Sequence, residues 1–224
     1  MTSATNARIA GSTYLLYIAA GVAELVLFGR ATNAESMVAK LERIAQNASD
    51  VHMAAVLGLL TCFAALVLGV TLYAVTRVED EDLAILALSC RVGEGILNAL
   101  GPLTVLGLLW LATADMGTSD AALGAVLLKI RGWSQTISAT LFSVGSTLFS
   151  YLLLRGRMIP VPLAGLGVLA SVLLVVCLPL QLIGFVGGAV GWFLWLPMLV
   201  FEVTLALWLL IKGVAPPATR AGGP

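Results

Sequence analysis

Six long apolar runs, separated by short polar joints, account for most of the chain. They cover about residues 9–28, 52–76, 83–112, 133–154, 162–186 and 190–211. A helix that crosses the hydrocarbon core of a bilayer needs about 20 largely apolar residues, and every run reaches that length. Backbone polar groups in hydrocarbon find partners only within their own segment, so each run is predicted to be a helix. The expected fold class is all-α integral membrane, a six-transmembrane-helix bundle forming a single domain over residues 1–213. The third run is long enough to tilt or to extend past the bilayer. The first is too long for the apolar core of a signal peptide, and Glu24 near its end suits no cleavage site, so it is expected to be retained. Residues 214–224 read as a disordered tail.

Two joints carry helical signals of their own. Thr32-x-x-Glu35 is a capping-box pattern, and it opens a segment with Val38, Leu41 and Ala45 on one side. In the third joint, Ser119 or Asp120 offers a cap to Leu123, Val126, Leu127 and Ile130 at helical spacing. Short amphipathic helices on one membrane face are therefore expected in the first and third connections. Trp110, Trp133 and Trp192 lie near run ends and read as interface anchors. Gly187-x-x-x-Gly191 falls at a turn between runs and is not read as a dimer motif.

Composition supports the membrane reading and narrows the chemistry. The chain is 60% hydrophobic and 11% charged, against about 25% charged in soluble domains. Its mean hydropathy is +1.03, and a soluble fold of this size could not hide so much apolar surface. The formal net charge is zero and the basic residues are scattered, so neither a nucleic-acid partner nor a polybasic lipid patch is expected. Cys62, Cys90 and Cys177 lie far apart in apolar runs, form no C-x-x-C, and have only His52 to join them. They read as packing residues, with no metal site and no cofactor expected. No phosphate-binding glycine loop and no nucleophile elbow is present.

With six spans, both termini share a side. Termini inside would place Arg8, Arg77, Arg155, Arg157, Lys212 and Arg220 on the cytoplasmic side, and Arg30, Lys40, Arg43, Lys129 and Arg131 outside. Arg155-Gly156-Arg157 is the clearest cluster in a short joint, so the N- and C-termini are expected to be cytoplasmic.

An ionisable side chain within a span is costly and marks a functional position. In the third run Arg91, Glu94 and Asn98 fall at i, i+3 and i+7, within an arc of about 60°. Pro102 cannot donate to the Asn98 carbonyl, so a kink is expected there. Proline stands near a polar residue twice more, as Pro179 beside Gln181 and Pro197 before Glu202. Trp195 lies two turns before Glu202 on the same face. Tyr14, Tyr17, Gly21 and Glu24 form a stripe on the first run, Gln135 opens the fourth, and His52 begins the second. Depth suggests a polar cavity open to the outer side, with Glu94 and Glu202 at its floor. The ligand-binding candidates are Glu94, Glu202, Arg91, Asn98, Glu24, His52, Gln135 and Gln181. The opposing reading is that Arg91 and Glu94 pair only to specify packing. Ala139, Ser143, Ser146, Thr147 and Ser150 form a small-residue stripe, read as a packing face.

Four segments stand in order over about residues 8–214. They are Arg8-Ile9-Ala10-Gly11 with Tyr14-Leu15-Leu16, then Cys90-Arg91-Val92, then Ser146 to Leu153 with Arg155 and Ile159-Pro160. The last is Phe201-Glu202-Val203 to Gly213. Together they resemble a bacterial family of six-helix membrane proteins, domain-of-unknown-function family 4386. The resemblance implies six helices and a bacterial inner membrane, and it supplies no activity. His52, Glu94 and the acidic run Glu79 to Asp82 match no motif of that family.

Three functions remain open at this level. One is a pocket that binds or carries a lipophilic or small polar ligand. Another is a membrane-embedded enzyme acting on a lipid or isoprenoid through paired glutamates. The third is an accessory subunit of a larger membrane complex. The expected partners are membrane lipids, a lipophilic small molecule, and a membrane protein or a second copy of the chain.

Overall fold

A computed structural model describes residues 2–114, 120–185 and 189–215, without the side chains of residues 189, 190 and 192. Ser119, Gly187, the Trp192 side chain and residues 216–224 of the expected tail lie outside the described residues. The described residues form eight helices and no strand. These are α1 (Ser3–Thr32), α2 (Met37–Gln46), α3 (Ala48–Thr76), α4 (Glu81–Asn98), α5 (Leu100–Thr113), α6 (Asp120–Arg155), α7 (Val161–Leu182) and α8 (Ala189–Ile211). Six stretches among them are long and apolar enough to cross a membrane: α1, α3, α4 with α5, α6, α7 and most of α8.

The spans close into a ring in chain order. Helix α1 packs on α3, α3 on α4 and α5, α4 on α6, α6 on α7, α7 on α8, and α8 back on α1. Short connections make consecutive spans antiparallel neighbours. Small residues set the spacing at the closing seams. A Cβ on Gly11 would come 2.7 Å from the Ala206 carbonyl oxygen, and one on Gly167 would come 2.4 Å from the Phe201 ring. Large apolar side chains such as Leu103, Leu169 and Phe193 point outward, as a lipid-facing surface requires.

The third span breaks where the proline position predicts. Helix α4 ends at Asn98 and α5 starts at Leu100, because Pro102 has no N–H for the Asn98 carbonyl. Ser134 Oγ donates to the nearby Leu97 carbonyl at 3.1 Å. By contrast, α7 and α8 continue as helix through Pro179 and Pro197.

Several expectations about the joints change. The short helix of the first connection forms, but Ser36 caps it by accepting from the Ala39 N–H at 3.2 Å. Thr32 instead belongs to α1, where its hydroxyl donates to the Phe28 carbonyl. Its buried face is Leu41 and Ile44, while Val38 is exposed. In the third connection the helical segment runs without a break into the fourth span, giving the 36 residues of α6. Leu123, Val126 and Ile130 face outward on that extension. The fifth run stops at Leu182 rather than near residue 186. Gly184 takes a positive φ of 86°, the Gly184 N–H bonds to the Gln181 carbonyl, and the Phe185 N–H bonds to the Leu180 carbonyl. This is a Schellman termination, which needs the left-handed conformation glycine adopts without strain.

The acidic run at the α3–α4 turn has a structural use. Asp80 caps α4 through the Leu83 N–H at 3.2 Å. Arg155, at the end of α6, reaches Glu79 at 2.9 Å and Asp80 at 3.1 Å. That end of the ring is thereby tied across α3, α4 and α6.

Candidate functional site

Helices α1, α4, α6 and α8 each turn one polar or aromatic stripe into the ring. Tyr17, Glu94, Asn98, Gln135, Ser138, Ala139, Phe142, Trp195 and Glu202 line a single cavity of about 210 Å³. Glu94 is 1% exposed and Glu202 6%, and Glu202 is the middle residue of the span Phe193–Ile211. The two carboxylates, predicted from separate runs, therefore face the same space at depth.

Hydrogen bonds fix most of the wall. The Tyr17 hydroxyl donates to Glu94 Oε1 at 2.8 Å, joining α1 to α4. Ser138 Oγ lies 3.1 Å from the Glu94 carbonyl oxygen and 2.7 Å from Asn98 Oδ1. Its single proton serves one of them at a time. The Phe142 and Trp195 rings pack at a centroid distance of 6.0 Å.

Arg91 lies behind this wall. It is fully buried, and its Nη1 stands 2.9 Å from Glu94 Oε2. Its guanidinium carbon sits 5.0 Å from the Phe142 ring centroid and 5.7 Å from that of Tyr17, within reach of cation–π attraction. The contact with Glu94 is ionic without an aligned N–H, because none of the three guanidinium nitrogens has a hydrogen-bond acceptor. Glu94 Oε2 and Glu202 Oε1 are likewise buried without a hydrogen-bond partner. One carboxylate thus stands against the guanidinium and a second lines the cavity in front of it, in a low-dielectric interior where an uncompensated charge is expensive.

A wider cavity of about 1030 Å³ adjoins this one and shares Gln135, Ala139 and Trp195 with it. Its wall is mixed, with apolar Leu25, Leu128, Leu178 and Leu182 beside Glu35, Lys40, Lys129 and Gln181. Glu35 and Lys40 belong to the joint between the first two spans. The wide cavity therefore lies at the opposite end of the ring from Arg155.

Of the residues read as candidates, Glu94, Glu202, Asn98 and Gln135 meet in the inner cavity, with Arg91 against Glu94. Gln181 lines the wider space only. Glu24 does not join them, because its Oε1 accepts from Arg131 Nη2 at 2.7 Å between α1 and α6. Arg131 is not the outer-loop charge it was expected to be. It is 5% exposed and lies 4.2 Å over the Phe28 ring. His52 is also elsewhere, exposed in a shallow groove with Leu106, Trp110 and Thr113. Tyr17, Ser138 and Phe142 were not among the candidates. Tyr17 stood in the noted stripe of the first run. Ser138 and Phe142 follow Gln135 at spacings of three and seven, a signal hidden beside the small-residue stripe of the same helix. From Ser143 onward that stripe packs, with Ser143, Ser146 and Ser150 buried, while Ala139 at its start lines both cavities.

Ring, spans and lipid-facing surface define an all-α multi-pass integral membrane protein with a polar interior. Over residues 9–213 the chain matches the family described as Domain of unknown function (DUF4386), and it belongs to that family. No curated protein matches it, and no solved structure does.

Proposed function

We propose that this is a bacterial inner-membrane protein that binds, and carries, a small polar or lipophilic ligand in an intramembrane pocket. Its termini are cytoplasmic, so the wide cavity opens toward the outer side. The observation that carries the reading is the meeting of Glu94 from α4 and Glu202 from α8 in one cavity, next to a larger one with a partly apolar wall. Ligand pockets combine an apolar wall with a few convergent polar groups, and ionisable groups inside a membrane bundle mark ligand or ion sites. In this reading Glu94, Glu202, Asn98 and Gln135 contact the ligand, Arg91 holds Glu94, and Gln181 lies along the approach.

The test is mass spectrometry of small molecules and lipids that co-purify with the detergent-solubilised protein, beside Glu202→Gln and Glu94→Gln. A defined species retained by the parent and lost from either variant is expected. Identical profiles from all three samples would count against the pocket.

A further inference from the structure

We infer that the ligand is a lipophilic ammonium cation, its head group against Glu202 in the inner cavity and its apolar tail in the wider one. The inference rests on the pocket reading and adds the ligand's charge and shape. Its first ground is charge balance. Tyr14 and Tyr17 from α1, Arg91 and Glu94 from α4, and Glu202 itself are the titratable groups that act on one another there. The inner wall contributed by α6 is uncharged. Arg91 stands 2.9 Å from Glu94, which leaves Glu202 as the carboxyl with no cation in contact, its Oε1 buried and unpartnered. A cation arriving in this cavity supplies the partner that a buried carboxylate needs in order to carry its charge. An anion would meet the two carboxylates first, because Arg91 is not part of the cavity wall.

The second ground is the wall's chemistry. Tyr17, Phe142 and Trp195 line the inner cavity; Arg91 already lies over the first two, and the Trp195 ring is the aromatic face open to an ammonium group once water is excluded. The third is shape. The inner space of about 210 Å³ is below the roughly 300–1,000 Å³ of pockets that hold whole drug-sized ligands. It suits a head group. The tail then passes Ala139 and Trp195 into the cavity walled by Leu25, Leu128, Leu178 and Leu182.

The experiment uses the full chain in lipid nanodiscs, with hexyltrimethylammonium, hexanol and hexyl sulfate as probes. Isothermal titration calorimetry reads binding, with empty discs subtracted. The cation is expected to bind more tightly than either other probe. Glu202→Gln should weaken it by about 100-fold, the usual scale for removing one partner of a buried charge pair, while leaving hexanol unchanged. Ala139→Leu, which narrows the neck between the cavities, should weaken it without touching a charge. If Glu202→Gln does not remain monodisperse, the comparison of cation with hexanol on the parent protein decides the charge, and Ala139→Leu decides the shape. Cation and hexanol binding alike, or a cation indifferent to both variants, would overturn the charge assignment and leave the pocket standing. Hexyl sulfate binding best, held by Lys40 and Lys129, would overturn it too. If none of the three probes binds, the pocket reading falls with it.

Discussion

Two arginines are buried in this ring, and they are held in opposite ways. Arg131 donates to Glu24 at 2.7 Å across α6 and α1 and stacks on Phe28. One cation meets one carboxylate, and the contact is an aligned, charge-assisted hydrogen bond. Arg91 also lies on aromatic rings and beside a carboxylate, but its partner is on its own helix and none of its N–H groups is aligned. A second carboxyl, Glu202, shares the cavity with Glu94 and has no cation in contact. The first arrangement is a clip between helices, satisfied through Nη2 while Arg131 Nη1 stays buried without an acceptor. The second is left unbalanced, and a functional site is where such imbalance is expected to persist.

The comparison breaks hardest at Arg91. Arg91→Met would leave Glu94 buried without its cation, and a loss of about 3–5 kcal/mol is expected. Thermal unfolding in detergent, with size-exclusion profiles, checks it. Adding Glu94→Gln to that variant should recover a large part of the loss. Arg131→Met strands Glu24, whose side chain keeps 15% exposure and so retains some water. A loss of about 1–3 kcal/mol is expected, and a double-mutant cycle with Glu24→Gln should report strong coupling. Removing Glu94 alone sharpens the contrast. Glu94→Gln should cost about 1–3 kcal/mol, less than Arg91→Met, because the amide oxygen can still accept from the buried guanidinium, and ligand retention should suffer more than the melting temperature. The smallest effect belongs to Ser138→Ala. It removes one hydroxyl shared between Glu94 and Asn98, with an expected loss of about 1 kcal/mol or less by the same unfolding measurement.

Legibility in the sequence followed locality. The break before Leu100 could be read from Pro102 alone, since the missing N–H acts four residues back. Arg91, Glu94 and Asn98 could be placed on one face because the helical repeat fixes their angular separation. The meeting of Glu94 with Glu202 could be guessed from depth. Glu24 shows where the guess failed. It has a comparable polar character and lies on the Tyr17 face, yet its carboxylate meets α6 rather than the cavity. Arg131 was misplaced for a related reason. A charge near the start of an apolar run reads as loop, unless the helix is known to begin a turn or more earlier, at Asp120. Ser138 and Phe142 were obscured because α6 carries two polar stripes, one packing and one lining, and periodicity does not say which neighbour each stripe meets.

The amino-acid sequence by itself determined that six helices cross a membrane, where the third one breaks, and which side chains share a helix face. These properties depend on apolar run length against a hydrocarbon core of fixed thickness, on a missing donor, and on 100° per residue. Only the tertiary structure decided that the spans close into a ring in chain order, that Glu94 and Glu202 share a cavity, and that Glu24 and His52 do not. In helices apolar on nearly every side, the hydrophobic pattern says little about rotation. The turning of each face is set by close approaches such as Gly11 on Ala206 and Gly167 on Phe201, and by polar groups finding partners across helices far apart in the chain.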